Sequence, residues 1–181
     1  MSRLVDGLLL LARDEGDTAT SSPVDVAAIV HERVDVWQDV VAEKSVMLVA
    51  ETPATAWALA VPGAVDQLVD NLVDNALRVS PVRGRITVRV EHVPQGVVLH
   101  VLDEGPGLDA DARARAFDRF WRAPDAEPGG SGLGLPIVRR LAEASGGSAR
   151  LDARRPHGVD AVIELRAALA PAFDHAVRAS T

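Results

Sequence analysis

Apolar residues recur every three or four positions in three stretches of the chain, which is the spacing of a helix with one buried face. The pattern predicts helices over about residues 23–44, 66–78 and 132–145, the last of which ends at Gly146 and Gly147. Each predicted helix has enough apolar side chains to cover part of a hydrophobic core. We therefore expect these helices to form one layer of a folded domain.

Shorter apolar runs between the helices predict β-strands. These strands are predicted over about residues 46–52, 56–61, 85–92, 97–102, 148–154 and 161–166. The sequence Pro94-Gln95-Gly96 separates two of them and indicates an antiparallel hairpin. The order of elements predicts an α+β fold, a two-layer α/β sandwich with a mixed, mostly antiparallel sheet and helices on one face.

Composition divides the chain into four segments. Residues 1–14 place leucines on one stripe and predict a helix that packs against a partner, either in the same domain or as the end of a helical bundle. Residues 15–22 are small and polar and predict a linker. The main domain is predicted over residues 23–167, and residues 168–181 form a short tail.

The overall charge narrows the classes of partner. The chain has 26 acidic and 19 basic side chains and a net charge of −7, whereas a nucleic-acid surface is basic. It has no cysteine, so disulfides, zinc–thiolate sites and thiol nucleophiles are excluded. No apolar run approaches the ~20 residues of a membrane span, and no signal-peptide pattern is present. We expect no nucleic-acid or membrane contact by this chain, and its composition is compatible with the cytoplasm.

The helix predicted over residues 66–78 carries a second, polar stripe. Asn71, Asn75 and Arg78 lie at i, i+4 and i+7 and therefore share one side of the helix. Asparagine is a mediocre helix former, and its amide oxygen is a suitable neutral ligand for Mg²⁺, so the stripe is a candidate nucleotide site. The alternative is a polar face in water. Asp70 and Asp74 lie about 100° around the helix from this stripe and are predicted to face solvent.

An acidic residue and two glycines follow the apolar strand predicted over residues 97–102. The sequence is Asp103-Glu104-Gly105-Pro106-Gly107, which is compatible with an ordinary turn. Alternatively, Asp103 accepts a hydrogen bond from an exocyclic amine such as that of adenine. Gly105 and Gly107 would then let the backbone approach the ring closely.

A glycine-rich segment leads into the last predicted helix. Residues 129–135 contain four glycines together with Leu133 and Leu135, and the N-terminus of a helix favours phosphate. The segment lacks the ending of a Walker A loop. A flexible linker is the alternative, but its two leucines are unlike linker composition. We expect a lid hinged on glycine.

Four of these segments resemble, in order and spacing, the N, G1, F and G2 boxes of histidine-kinase ATP-binding domains. They are the asparagine helix and residues 103–107, 117–122 and 130–135. The domains belong to the superfamily that includes gyrase, the Hsp90 chaperones and MutL. The resemblance covers about residues 23–166 and implies the α/β sandwich of that superfamily. Residues 1–14 look like the end of the family's dimerisation and phosphoacceptor helix.

The resemblance implies a role for each matching residue. Asn75 would bind Mg²⁺, Asn71 and Arg78 would contact the phosphates as catalytic residues, and Asp103 would read adenine. The other implied nucleotide-binding positions are Val79, Gly105, Gly107, Leu108, Gly130, Ser131, Gly132, Leu133, Gly134 and Leu135.

The chain departs from the family pattern at two positions that bear on the site. Val79 stands where the family usually has an aromatic residue near adenine, so aliphatic contact would replace stacking. Asp160 replaces a common glycine in the final turn, which places a role for Gly158 in doubt.

The residue at position 71 bears on the type of reaction. Hydrolases of the superfamily carry glutamate there as the general base, and an amide cannot accept a proton at neutral pH. Asn71 therefore favours transfer of the γ-phosphate of Mg·ATP to a histidine outside this chain, and from there to a response-regulator aspartate. The resemblance implies a two-component sensor histidine kinase whose partners are its own dimerisation domain and a response regulator.

Further expectations concern the whole protein. The intact protein would be a homodimer, this chain alone a monomer, and the domain the cytoplasmic part of a membrane-bound sensor. His31 is followed by an acidic residue but lacks the Thr-Pro or Ser-Pro that follows a phosphoacceptor, so we do not expect it to be the acceptor. Three alternatives stay open: a serine-kinase anti-sigma factor, a superfamily ATPase and a non-catalytic nucleotide-binding module.

Overall fold

A five-stranded sheet with helices on one face forms the centre of the computed structural model, which describes residues 20–123 and 131–171. Its strands are β2 (Met47–Glu51), β4 (Arg85–Val93), β5 (Gly96–Leu102), β6 (Ser148–Ala153) and β7 (Val159–Arg166). The order in the sheet is β2-β4-β5-β7-β6. Only the pair β2–β4 is parallel, and the other neighbours are antiparallel. The predicted mixed, mostly antiparallel sheet is confirmed.

A second, two-stranded sheet consists of β1 (Ser22–Asp25) and β3 (Trp57–Ala60). The chain returns to β3 after the end of β7, where Ala167 forms a bridge with Ala58 and the amide of Ala168 donates to the Trp57 carbonyl at 3.1 Å. Strand β3 therefore contacts both the beginning and the end of the described domain.

The described residues include four helices, α1 (Val26–Glu43), α2 (Ala64–Val79), α3 (Ala110–Arg115) and α4 (Gly134–Ala144). Helix α2 packs between α1 and α4. No helix in the described ranges is long and apolar enough to cross a bilayer.

The core lies between the helices and the inner face of the sheet. Alternate strand residues such as Ile86, Leu99 and Ile163 are fully buried there, as the period of two along a strand requires. Helix α2 adds Leu68 and Val69 from its apolar side, both fully buried.

Two elements differ from the sequence prediction. The first helix was expected to begin at about residue 23, but residues 22–25 form β1 and the helix begins at Val26. The reason is Asp25, whose carboxylate accepts two hydrogen bonds. The bond from the Ala27 amide, at 3.1 Å, caps the helix, and the bond from the Ala56 amide, at 2.9 Å, holds β1 against the loop before β3. Helix α3 was not predicted, because it is short and none of its residues is buried. The predicted helix over residues 1–14 lies outside the described residues.

Candidate functional site

The asparagine stripe lies along the side of α2 that faces the N-terminus of α4. Asn71 is half-buried and its amide nitrogen donates to the Gln67 carbonyl at 2.8 Å, which fixes the side chain. Its Oδ1 lies 3.7 Å from the place where a Cβ on Gly134 would stand. Asn75, one turn further along, is exposed. The structure therefore brings Asn71, the first residue of the stripe, close to the glycine segment.

Arg78 completes the stripe and forms an exposed ion pair with Asp74. Its Nη2 and Nε lie 3.0 and 3.1 Å from Asp74 Oδ2, and the two side chains are 41% and 47% exposed. An exposed i,i+4 pair of this kind contributes little to stability. The guanidinium can therefore exchange this partner for a phosphate.

Asp70 does not face solvent, so that prediction was wrong. Its carboxylate accepts hydrogen bonds from Arg33 Nε at 2.9 Å and Nη2 at 2.7 Å, and from Trp37 Nε1 at 2.8 Å. The Arg33 and Asp70 side chains are only 16% and 18% exposed. These contacts join α1 to α2 on the flank next to the asparagine stripe.

Asp103 is buried at the end of β5, with 6% of its surface exposed. Its Oδ1 accepts hydrogen bonds from the amides of Gly105 at 2.8 Å and Val159 at 3.2 Å. Within the described ranges no donor contacts Oδ2, so this oxygen is available to a ligand. Burial raises the pKa of the Asp103 carboxyl above its usual value, and the two amides and the charge of Arg154 only partly oppose this.

The end of α2 contacts the Asp103 turn at Gly105. A Cβ on Gly105 would lie 2.9 Å from both Cγ2 and the carbonyl oxygen of Val79, and 3.0 Å from Asp103 Oδ1. A side chain at position 105 would therefore collide with the wall of the site. Val79 is 45% exposed and lies beside this turn.

Gly158 has a structural role, which corrects the doubt raised from the sequence. Its φ is +104°, and an added Cβ would lie 2.1 Å from the Asp103 carbonyl oxygen. A Cβ on Gly107, where φ is +82°, would lie 3.2 Å from the Gly158 carbonyl oxygen. Only glycine fits at these two positions, where the turn after β5 meets the turn between β6 and β7. Asp160 lies further along β7 and pairs with His100, with Oδ2 3.0 Å from Nδ1.

The glycine segment is anchored to the segment that follows α3. The Phe120 amide donates to the Gly132 carbonyl at 3.0 Å, and a Cβ on Gly132 would lie 2.8 Å from the Phe120 backbone. Leu133 is buried, Leu135 is half-buried and the exposed Ser131 accepts a hydrogen bond from the Leu133 amide at 3.3 Å.

Two further contacts involve residues that flank helix α3 in the chain. Arg139 of α4 lies over the ring of the buried Phe117, 4.2 Å from its centroid. The half-buried Leu108 accepts a hydrogen bond from Arg113 through its carbonyl. Gly130 lies outside the described residues.

Sequence reasoning predicted a turn between β6 and β7 but missed its contact with the Asp103 turn. Arg154 Nη1 donates to the Asp103 carbonyl at 2.7 Å, and the Val159 amide donates to its carboxylate. His157 Nδ1 lies 3.3 Å from the Gly105 carbonyl. The sequence signal was the Pro156-His157-Gly158 turn, but nothing in the local pattern shows that it contacts a turn about 50 residues earlier.

Comparisons with known proteins place these features in a family. The profile of the family described as histidine kinase-, DNA gyrase B-, and HSP90-like ATPase matches residues 60–169. Over 151 residues the chain is 36% identical to the sensor protein kinase PmrB of Pseudomonas aeruginosa, which covers 82% of this chain and 31% of that protein. It is 35% identical over 167 residues to the sensor protein CreC of Escherichia coli, covering 91% and 35%. The chain spans about a third of the length of these relatives.

Solved structures show the same fold. The mycobacterial sensor histidine kinase MprB superposes with a TM-score of 0.71 at 28% identity, over 81% of this chain and 97% of that chain. Full-length ShkA in complex with AMPPNP gives a TM-score of 0.76 at 28% identity, over 93% and 36%.

Proposed function

The chain belongs to the histidine kinase-, DNA gyrase B-, and HSP90-like ATPase family and corresponds to the ATP-binding catalytic domain of sensor histidine kinases, and from this premise we propose that it binds Mg·ATP for phosphoryl transfer to a histidine. The observation that carries the proposal is the arrangement of Asp103. Two backbone amides occupy Oδ1 of its buried carboxylate, no donor in the described ranges contacts Oδ2, and the turn that carries it contacts the end of the asparagine helix at Val79.

The Asp103 end of the site fits an adenine ring. A carboxylate oxygen without a protein donor can accept a hydrogen bond from the exocyclic amine, which a 6-oxo purine does not offer. Gly105 and Gly107 leave the floor of the turn without side chains, and Val79 contributes aliphatic surface at its edge. Leu108 follows the turn and extends this surface.

The opposite end of the site fits the phosphates. Asn71 faces the start of α4, whose first amides and dipole attract anions. Arg78 supplies a positive charge from the same helix as Asn71. From the resemblance, Gly130, Ser131, Gly132, Leu133, Gly134 and Leu135 would close over the phosphates as a lid. The burial of Leu133 and the Phe120–Gly132 hydrogen bond support an anchor for that lid.

The residues present also fit a magnesium ion. In the described ranges no cluster of three or more histidine or acidic side chains could hold a metal. Mg²⁺ is commonly bound by one or two protein oxygens with substrate phosphates and waters, and the exposed amide of Asn75 is suited to that role. When bound, the ion would offset the negative charge of the phosphates.

The chemistry of the site favours transfer over hydrolysis. Asn71 cannot remove a proton from water, so this chain would act by positioning the phosphates and stabilising their charge through Arg78. His31 is a poor phosphoacceptor, because it lies inside α1 and no Thr-Pro or Ser-Pro follows it closely in the chain. The acceptor would lie on a dimerisation domain outside the described residues.

The partners follow from this assignment. A response regulator would receive the phosphoryl group at an aspartate, and the intact protein would be a homodimer with this domain in the cytoplasm. The relatives reported above are named as sensor proteins or sensor kinases, which favours this assignment over a serine-kinase anti-sigma factor.

Calorimetric titration with ATP and Mg²⁺ tests the proposal. Wild-type protein should bind, Asp103→Asn should lose at least about tenfold in affinity, and the exposed control Asp152→Asn should match wild type. Absence of wild-type binding, or equal binding by Asp103→Asn, would overturn the nucleotide assignment. A mixture with a separately expressed dimerisation domain from a relative such as PmrB, supplied with labelled ATP, then tests histidine phosphorylation.

A further inference from the structure

The guanidinium of Arg154 holds the Asp103 turn from the side of the sheet. Its Nη1 donates to the Asp103 carbonyl oxygen at 2.7 Å, and its Nη2 lies 3.6 Å from Glu104 Oε1. The Arg154 and Glu104 side chains are only 26% and 33% exposed. One side chain therefore contacts two successive residues of the turn.

Glu104 extends this contact to a third strand. Its Oε2 accepts a hydrogen bond from the Arg85 amide at 2.9 Å, at the beginning of β4. Arg154 follows β6 and Glu104 follows β5, so the three groups connect the ends of three strands. The Asp103 backbone is held at both of its polar groups, because its carbonyl oxygen accepts from Arg154 and its amide donates to the Val159 carbonyl at 3.0 Å.

We propose that Arg154 is a positioning residue for nucleotide binding, which fixes the direction in which the Asp103 carboxylate presents its second oxygen to the purine amine. This inference rests on the proposed function. A rotation of the turn by a few tenths of a radian would move that oxygen by about 1 Å, which is enough to lose a well-aligned hydrogen bond. The amine is the group by which ATP differs from inosine triphosphate at this position, so Arg154 should affect discrimination between the two.

Arg154 also acts on the charge of the carboxylate. The groups around Asp103 are Arg154 and His157 of the β6–β7 turn, Asp160 of β7 and Glu104 of its own turn, while α2 contributes the apolar Val79. Burial raises the pKa of Asp103, Arg154 opposes this and Asp160 adds to it. Binding of an amine weakens as the pH falls through the pKa of Asp103. Removal of Arg154 raises that pKa further, so affinity should be lost at a higher pH.

The test measures dissociation constants for ATP and inosine triphosphate from mildly acidic to neutral pH. Arg154→Met should weaken ATP binding by about tenfold at neutral pH, weaken inosine triphosphate binding less, and move the acidic loss of affinity to higher pH. Arg154→Lys keeps the charge but offers one nitrogen in place of two, so it should weaken ATP binding without moving the acidic loss of affinity. Arg155→Met, at an exposed neighbouring arginine, should match wild type in each measurement.

The possible results distinguish a failure of the proposed ATP binding from a failure of the proposed role of Arg154. If wild type does not bind ATP, the proposed function falls and this inference with it. If wild type binds and Arg154→Met shows the same affinity ratio and pH profile, the site stands and the role of Arg154 is overturned. Equal weakening of both nucleotides without a pH shift is a structural effect and also overturns it. Should Arg154→Met fail to fold, unchanged ATP affinity in Arg154→Lys overturns the role. His157→Gln, measured in parallel, identifies any part of the profile that belongs to that histidine.

Discussion

Arg33 binds the carboxylate of Asp70 with two nitrogens, at distances of 2.7 to 2.9 Å, and this contact joins α1 to α2. Asp70 directly precedes Asn71, the residue that faces the start of α4. The contact therefore fixes the rotation of α2 about its own axis on the flank of the candidate phosphate site. A helix turned by about 10° would move an asparagine oxygen by about 1 Å.

Loss of this contact should lower stability. Asp70→Ala leaves Arg33 and the Trp37 indole without their acceptor in a poorly exposed position, so we expect the free energy of unfolding to fall by about 2–3 kcal/mol. Urea denaturation gives the value. Asp74→Ala removes the exposed partner of Arg78 and should change it by less than about 0.5 kcal/mol. Equal effects of the two substitutions would contradict the assigned role of Asp70.

The ionised carboxylate of Asp103, which we propose binds adenine, should lower the free energy of unfolding of the domain. Its pKa is raised in the folded protein, so the protonated form is the stabilised one. The stability that this group contributes is fully present below the ordinary pKa of an aspartate and is lost as the pH rises through the raised value.

Asp103→Asn keeps the oxygen that accepts from Gly105 and Val159 and carries no charge. Without nucleotide, its free energy of unfolding at neutral pH should equal or exceed that of wild type, although its ATP affinity is lower. Denaturation at several pH values measures this. A variant less stable than wild type at neutral pH would show that the ionised carboxylate stabilises the fold.

Gly158 should tolerate no side chain. In Gly158→Ala the methyl group would stand 2.1 Å from the Asp103 carbonyl oxygen, at a φ of +104°, so the turn must move. We expect a loss of about 3 kcal/mol or more in stability, together with loss of nucleotide binding. Gly63→Ala is the matched control, because φ is +76° there and nothing lies within 4 Å of the added methyl.

The control separates two causes of destabilisation. Gly63→Ala should cost only the ~1–2 kcal/mol of a left-handed backbone and should leave ATP binding intact. The difference between the two variants, from denaturant titrations, measures the collision at Gly158. Similar values for both would mean that the turn adapts to the methyl group.

The pair His100 and Asp160, on the outer face of the sheet, should make stability depend on pH. The hydrogen bond to Asp160 raises the pKa of His100; Glu91 acts in the same direction, whereas burial and Arg89 oppose it. The stabilisation is fully present below the ordinary histidine pKa and is lost as the pH rises through the raised value. Asp160→Asn should lower the pKa of His100 measured by NMR and flatten stability over this range. An unchanged His100 titration would exclude the pairing.

Local patterns in the sequence predicted the parts of the site that depend on nearby residues. The apolar repeat of α2, its asparagine stripe and the turn after β5 are each contained in fewer than about 20 residues, and each appears in the structure at the expected place. The order of the elements predicted the fold class, the resemblance of four segments predicted the family, and both predictions are confirmed. The roles assigned to single residues by resemblance remain predictions.

Contacts between distant segments were not predictable from local patterns. Asp70 was placed in solvent because it lies about 100° around the helix from the asparagine stripe, whereas its partner Arg33 lies 37 residues earlier in the chain. Gly158 and Arg154 act on Asp103 from more than 50 residues away, through the pairing of β5 with β7. Only the assembled sheet brings these groups together, so periodicity carries no information about them.

The position of β3 has a consequence for how the domain is joined to other domains. Ser22 pairs with Ala60, and Ala167 with Ala58, so the chain enters and leaves the domain beside the same short strand. Domains whose ends lie close together can be transplanted or inserted as one piece without interrupting their interior. The turn at Asp103 and the asparagine helix α2 belong to the chain between these ends, so the domain can be joined to another protein at this one place without a change to either of them.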